Sequence, residues 1–299
     1  MAGVEIIKVK SLDDGMRLNR WFLKYYPSLS FARLQKLIRT KQIKVDGKKA
    51  EANLRIFSGQ EIRIPPLENE KAPFDNNVIS EKYAELIRTM VIFKNADIIV
   101  LNKPAGLAVQ GGSGITQNID SMLGALKYEY EEKPKLVHRI DKETSGVLVL
   151  ARTRKFADIL TNAFREHKLP KTYLAITHNV PQKNEGKITQ PIEDKTAQTM
   201  YKVLDKVGNK FALIEANPLS GRKHQIRIHL HSMSCPIVGD KKYFINPKPN
   251  MPEIKNKLYL HAYKIDLSYI YNNEKLEIVA PLPKHFKEAI SFLGLIFEE

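Results

Sequence analysis

Five successive apolar residues, Val147-Leu148-Val149-Leu150-Ala151, close the stretch HRIDKETSGVLVLAR at residues 138–152. A run of that length without alternation reads as a strand covered on both faces, so a chain that carries it needs packed layers above and below one sheet. The turn before it, Asp141-Lys142-Glu143-Thr144-Ser145-Gly146, then lies at the rim of that sheet. Asp141 would sit on a loop anchored by a rigid element, a common position for functional carboxylates. Taken alone, an Asp in such a turn is ordinarily a solvated turn residue. A catalytic reading has to come from the rest of the chain.

Charge narrows the partner. The 299 residues include 48 Lys and Arg against 33 Asp and Glu, a net charge of +15, which favours a polyanion such as nucleic acid over a neutral ligand. The length allows two domains, and 43% hydrophobic residues are typical of a folded chain. The single Cys, Cys235, excludes an intrachain disulfide and fits a reducing compartment. No basic segment followed by an apolar one opens the chain, and no apolar stretch of about 18 residues occurs. The expectation is a cytoplasmic protein without membrane segments.

Residues 1–64 read as one unit. Leu18, Trp21, Phe22 and Tyr25 recur at helical spacing, and Pro27 ends that helix. Ser30 is placed to cap a second helix whose Leu34, Leu37 and Ile38 share a face. A short strand over 43–45, a tight turn at Asp46-Gly47 and a strand over 60–64 follow. Arg17, Arg20, Lys24, Arg33, Lys36, Arg39, Lys41, Lys44, Lys48 and Lys49 fall between the apolar positions. Two short basic helices and a hairpin in this order resemble the S4 RNA-binding domain.

From 65 to 90 the pattern lapses into Pro65-Pro66, Glu68-Asn69-Glu70 and 73–77, a linker with a short helix over 80–88. The second unit, 91–299, opens with a buried strand over 97–102 and the turn Lys103-Pro104-Ala105-Gly106. Gly111, Gly112 and Gly114 form a loop that lets backbone approach a phosphate or ribose closely, but no Gly-Lys-Ser/Thr follows, which disfavours a P-loop. Phe156, Ile159, Leu160, Ala163 and Phe164 mark a helix, and 171–176 alternates as a strand carrying Tyr173. Tyr173 matters only if its face is the one Asp141 overhangs. Strands are expected over 197–204, 211–216 and 258–267, Pro236-Ile237-Val238-Gly239-Asp240 as a strand or turn, 246–256 as a mobile loop, and a helix near the end.

Residues 225–231 alternate: Gln225, Arg227, His229 and His231 against Ile226, Ile228 and Leu230. That period predicts a strand with Arg227 on its polar face, and a half-buried Arg needs a carboxylate partner. His224, His229, His231 and Cys235 raise a metal site, but His224 falls on the other face and no Cys-x-x-Cys completes a set, so no metal is expected. The whole is read as an α+β chain whose second unit has a largely antiparallel mixed sheet.

With these residues assembled, the chain resembles the RluA-type pseudouridine synthases. His138-Arg139-Ile140-Asp141 with Thr144-Ser145-Gly146 is similar to that family's signature. Asn102-Lys103-Pro104, Lys171-Thr172-Tyr173, the run from Gly221 through Arg222 and His224 to Arg227, Pro236-Ile237-Val238-Gly239-Asp240 and Leu260-His261-Ala262 fit around it in order. The S4-like front and the loop at 110–114 are most similar to the group acting on the large ribosomal subunit. Ile140, Ser220, Ser234 and Phe244 depart mildly from the family pattern, and a late His-Pro is missing near 269–273.

The resemblance implies an enzyme that isomerises uridine to pseudouridine in 23S rRNA, alone or in a pre-ribosomal particle, as a monomer and without a cofactor. It assigns Asp141 to the glycosidic bond, Arg227 to pairing with Asp141, Tyr173 to the uracil, and Arg139 to the space left as the uridine is flipped out. Arg222 and the basic residues of the front unit, Arg17, Arg20, Arg33, Lys36, Arg39 and Lys44, are expected to contact RNA. His138 is left with shaping the turn. Two other classes compete: an S4-type assembly factor with an inactive second domain, opposed by Asp141, Tyr173 and Arg227 together, and a glycoside hydrolase, for which no second acid is placed.

Overall fold

The computed structural model describes residues 4–26, 29–67, 79–111, 117–244, 254 and 256–298. Pro27, most of the expected linker, Gly112 to Gly114 and nearly all of the loop expected at 246–256 lie outside the described residues. The chain divides into two compact units, Met1–Val78 and Ile79–Glu299.

The first unit comprises β1 (Glu5–Lys8), α1 (Leu18–Tyr25), α2 (Phe31–Arg39), β2 (Lys44–Val45), β3 (Lys48–Lys49) and β4 (Glu61–Ile64). Its sheet is antiparallel in the order β1-β4-β2-β3. Leu18, Trp21 and Phe22 of α1 and Leu34, Leu37 and Ile38 of α2 form one core with Ile43, Ile56, Ile62 and Ile64. The Ser30 hydroxyl accepts the Arg33 N–H at 3.3 Å, closing the first turn of α2 as the sequence predicts. Asp46 (φ 50°) and Gly47 (φ 73°) are both left-handed, the requirement of the two-residue hairpin that joins β2 to β3.

The second unit runs α3 (Glu81–Thr89), β5 (Val91–Lys94), β6 (Ile98–Lys103), α4 (Ile119–Met122), β7 (Lys135–Leu136), β8 (Ser145–Ala151), α5 (Arg154–Arg165) and β9 (Lys171–His178). It continues β10 (Glu185–Ile188), β11 (Thr199–Val207), β12 (Phe211–Pro218), α6 (Gln225–Ser232), β13 (Leu260–Asp266), β14 (Glu277–Val279) and α7 (Lys284–Leu293). The helix expected inside the linker is α3, and it belongs to this unit, where Ile87 joins the core beside β6.

One sheet carries the unit, in the order β10-β11-β12-β9-β13-β8-β6-β5, with β14 on β13 and β7 on β8. Among the described residues every pairing is antiparallel except β8 with β13. Residues 145–151 are all buried, the doubly covered strand that five apolar residues predict. Its entry depends on Gly146: φ is 108°, and a Cβ there would lie 2.1 Å from the Ala262 carbonyl oxygen. Only glycine lets β13 approach β8 this closely.

Register places the site. Gly146 of β8 pairs with Ala262 of β13, and Ala262 pairs with Tyr173 of β9. Tyr173 is therefore two strands, about 10 Å, from the turn that Asp141 begins. Its side chain also packs against both core clusters of the unit, at the seam between the β8 half and the β12 half of the sheet.

The expected strand over 225–231 is instead helix α6. Alternation misleads because this helix is buried on several sides at once, so no single apolar stripe marks it. Ile226 and Leu230 enter the core, while Gln225 and His229 face β11: Gln225 Nε2 donates to the Gln198 carbonyl and Thr199 Oγ1, and His229 Nδ1 lies 2.9 Å from Thr199 Oγ1. Pro236 to Asp240 resolves to a turn, with Ile237 bridged to Thr177.

Candidate active site

A cleft of about 680 Å³ opens at the seam, lined by Arg139, Asp141, Tyr173, Arg222, His224 and Arg227 among others. Asp141 is its one carboxylate among the described lining residues, against six Arg and Lys. Such a cleft concentrates polyanions and fixes the one carboxylate as the distinctive group.

Asp141 is held from below. Lys103, fully buried, donates from Nζ to the carbonyls of Pro104, Leu107 and Lys142 at 2.9, 2.8 and 3.0 Å, using all three ammonium protons. Burial draws its pKa down to about 7, with the charges of Glu143 and Asp141 opposing. The Gly106 N–H also donates to the Lys142 carbonyl, at 2.8 Å. The Asp141 loop is thus tied to the end of β6. On its other side His138 Nε2 accepts the Val149 N–H at 2.8 Å, and its ring stacks on Phe164 at 4.2 Å. Burial and the Lys171 charge draw the His138 pKa to about 3, so this ring is a neutral structural acceptor.

Two groups face the carboxylate. Arg227 Nη1 is 3.8 Å and His224 Nε2 is 3.6 Å from Asp141 Oδ2. The expected pairing of Arg227 with Asp141 is the weaker of two: Nε and Nη2 grip Asp240 in a bidentate pair at 2.8 and 2.7 Å. Asp240 is the better partner because it is itself buried and pre-set by the N–H groups of Lys242 and Tyr243 at 2.9 and 3.1 Å. Burial works against Asp240's charge, but the Arg227 and backbone hydrogen bonds outweigh it and hold the carboxyl below its ordinary pKa. Arg227 is therefore clamped by Asp240 and offers its remaining edge to Asp141.

His224 has a left-handed backbone (φ 56°) at the entry to α6, and its Nδ1 lies 2.7 Å from the Tyr243 hydroxyl. Burial draws its pKa below the ordinary value, the Asp141 charge opposing. In the tautomer protonated on Nε2, the ring accepts from Tyr243 and turns an N–H toward Asp141. Tyr243 also lies against the Arg227 guanidinium, 5.2 Å from ring centroid to carbon. Burial raises the Tyr173 pKa above its ordinary value, and the Asp141 charge adds to this.

His224, Lys103 and Asp240 stand in the sequence as members of the matching motifs, His224 also as a metal ligand set aside, but neither they nor Tyr243 are given a site role there. The demand of a buried Arg for a carboxylate was the available signal for Asp240. His229 is committed to Thr199 and to the Gln190 carbonyl at 3.0 Å. Arg139 and Arg222 are exposed on the cleft, Arg222 fixed through Nε to the Thr196 carbonyl at 3.1 Å. The structure places Arg17, Arg20, Arg33, Lys36, Arg39 and Lys44 in the first unit, all exposed save the half-buried Lys44. Lys36 and Arg39 line a groove there with Lys49.

Among the described residues, a sheet with one parallel joint carries a cationic seam cleft whose lining includes one carboxylate, an arginine beside it and a tyrosine. The RNA pseudouridylate synthase family model matches residues 97–232, and the chain belongs to that family of isomerases. Ribosomal large subunit pseudouridine synthase C of Rickettsia felis is 39% identical, covering 91% of this chain and 95% of that protein. RNA pseudouridine synthase 4, mitochondrial, of Arabidopsis thaliana is 30% identical over 95% of this chain and 81% of that protein. The solved structure of Human RNA Pseudouridylate Synthase Domain Containing 4 superposes with a TM-score of 0.63 at 28% identity, covering 76% of this chain and 99% of that one.

Proposed function

We propose that this synthase isomerises specific uridines of 23S rRNA with Asp141 as the group that acts at the glycosidic bond. The observation that carries the reading is Asp141's position as the one carboxylate among the described residues lining a cationic cleft, faced by a clamped Arg227, with Tyr173 in the same lining. The names of its bacterial relatives support a large-subunit rRNA substrate. A front unit of two basic helices and a small sheet supports an S4-like RNA anchor in residues 1–64, acting on free rRNA or a pre-ribosomal particle. The protein works in the cytoplasm as a monomer. Among the described residues no helix is long and apolar enough to cross a membrane.

Conversion breaks the C1′–N1 bond, turns the uracil and joins it through C5, with no change in redox state. Breaking the bond leaves C1′ electron-poor, and the Asp141 carboxylate can attack, stabilise or deprotonate the sugar. Arg227 and His224 stabilise the charge of that carboxylate and aim it while water is excluded. Tyr173, a phenol in the free protein, first offers its ring to the uracil. To take the C5 proton it first passes its own phenolic proton to the Asp141 carboxylate freed as the C1′–C5 bond forms, and the phenolate then accepts from C5 and is restored as the phenol. Arg139 fills the RNA stack behind the flipped uridine.

The test is a map of pseudouridines in 23S rRNA and tRNA from cells with and without the gene, complemented by wild type or Asp141→Asn. Expected is loss of a few 23S sites, restored by wild type alone. An unchanged map in the deletion would remove the rRNA assignment, and rescue by Asp141→Asn would remove the aspartate mechanism.

A further inference from the structure

Lys171 opens β9 two residues before Tyr173, on the same side of the strand, and lines the same cleft. It is partly buried, yet its ammonium meets no carboxylate and no hydrogen-bond acceptor among the described residues. The nearest aromatic ring, Phe164, is 6.0 Å from Nζ. Its backbone pairs with Ile265 of β13, and its carbonyl accepts from Asn217 Nδ2 at 3.4 Å. Burial draws the Lys171 pKa below the ordinary range with no acid to oppose it.

Two more hydrogen-bond donors share this wall, one of them a cation. His167, in a left-handed backbone (φ 57°) just past α5, lies so close to Gly221 that a Cβ there would be 3.7 Å from its Cε1. Burial, then the charges of Lys171 and Arg222, draw its pKa down, so the three groups occupy one electrostatic neighbourhood. Among the described residues the Arg222 guanidinium is anchored through Nε alone, which leaves its terminal nitrogens available to a ligand. The nearest acid along the chain, Glu166, is taken by Lys168 at 2.8 Å.

A partly dewatered ammonium without a counter-charge is unfavourable in the free protein, and folding alone would be better served by an apolar side chain. An anion bound there removes the penalty and supplies the missing acceptors. Two residues along a strand span about 7 Å, comparable to the reach from a nucleobase to its own backbone phosphate. We propose that Lys171, His167 and Arg222 form the seat of one RNA phosphodiester, the one adjoining the uridine whose base faces Tyr173. This rests on the assignment of Tyr173 to the uracil. The seat fixes strand register, so that one uridine, and not its neighbour, meets Asp141.

The experiment compares wild type, Lys171→Met, Lys171→Arg and the exposed control Lys206→Met on unmodified 23S rRNA transcript. Filter binding from about 50 to 300 mM KCl gives the slope of log affinity against log salt, which falls by about 0.7 to 0.9 for each phosphate no longer neutralised. Lys171→Met is expected to lose one such increment and to need several-fold more enzyme for half-maximal single-turnover rate, with the saturated rate within about threefold of wild type. Lys171→Arg and Lys206→Met are expected to keep the wild-type slope. A wild-type slope in Lys171→Met overturns the seat, as does a collapsed saturated rate with the slope intact, which would place Lys171 on the base. Wild-type turnover in the same assay separates that failure from a failure of the synthase reading. A hairpin around the mapped uridine, with single methylphosphonates, guards against misfolding of the Met variant. One neutralised position should weaken wild type and Lys171→Arg equally, and its absence overturns the proposal.

Discussion

Arg227 sits between two carboxylates at unequal distance, 2.7 to 2.8 Å from Asp240 and 3.8 Å from Asp141. The inequality is useful chemically. A guanidinium locked to Asp141 would have to release it before the carboxylate could react, whereas one locked to Asp240 stabilises charge on Asp141 without competing for its lone pairs. Asp240→Asn keeps the shape and removes the clamp. Expected is a stability loss of about 3–5 kcal/mol from breaking a buried pair, seen in thermal unfolding, and a single-turnover rate down by about 100-fold from misplacement of Arg227. RNA affinity should stay near wild type. A destabilised variant with an undiminished rate would reduce Asp240 to a support of the fold. At this scale the need of Arg227 for a carboxylate was legible. Which carboxylate was not, because Asp240 reaches it only through the turn that follows α6. The role of Lys103 was illegible for a similar reason: its partners are backbone carbonyls, which carry no residue signature.

Elements are legible where one face is buried and deceptive where several are. The capped amphipathic α2 and the unbroken apolar β8 appear where their patterns put them, while α6 was read as a strand because its polar residues find internal partners in Thr199, the Gln190 carbonyl and Asp240. What the pattern could not express is the tie between the Asp141 loop and β8 through His138 and Val149. That tie has a pH signature. The folded His138 stays neutral down to about 3, whereas the unfolded chain takes up the proton near 6.5. Between those values the unfolded state binds more protons, so stability is full above 6.5 and falls on acidification, at up to about 1.4 kcal/mol per pH unit from this one group. His138→Gln retains an acceptor for the Val149 N–H and removes the titration. Expected is a shallower fall in denaturant stability between pH 6.5 and 4.5 than in wild type, with His167, His178, His224 and His229, all drawn down by burial, supplying the dependence that remains. An identical slope in the variant would show that His138 titrates in the folded state.

For the whole molecule, the division of the chain was legible as a lapse in pattern, although α3 could not be allotted because its apolar residues fit either neighbour. Each unit has its own core, so the basic surface of the first can be altered without touching the chemistry of the second. Lys36 and Arg39 are exposed on α2 beside residues 49–52, in a groove of about 370 Å³, where they answer to no core contact. As part of an RNA anchor they supply affinity through counterion release, and that contribution falls with salt as the reaction itself does not. The double substitution Lys36→Gln with Arg39→Gln should lower the salt slope on 23S transcript by about 1.4 to 1.8, two phosphates' worth. It should leave the saturated single-turnover rate and the identity of the modified uridines unchanged, since register is set in the catalytic cleft. If the slope is unchanged, the first unit is not the anchor and the charge that draws RNA belongs to the second. If the slope falls and the modified sites shift as well, the front unit sets register, and site choice cannot be assigned to the cleft alone.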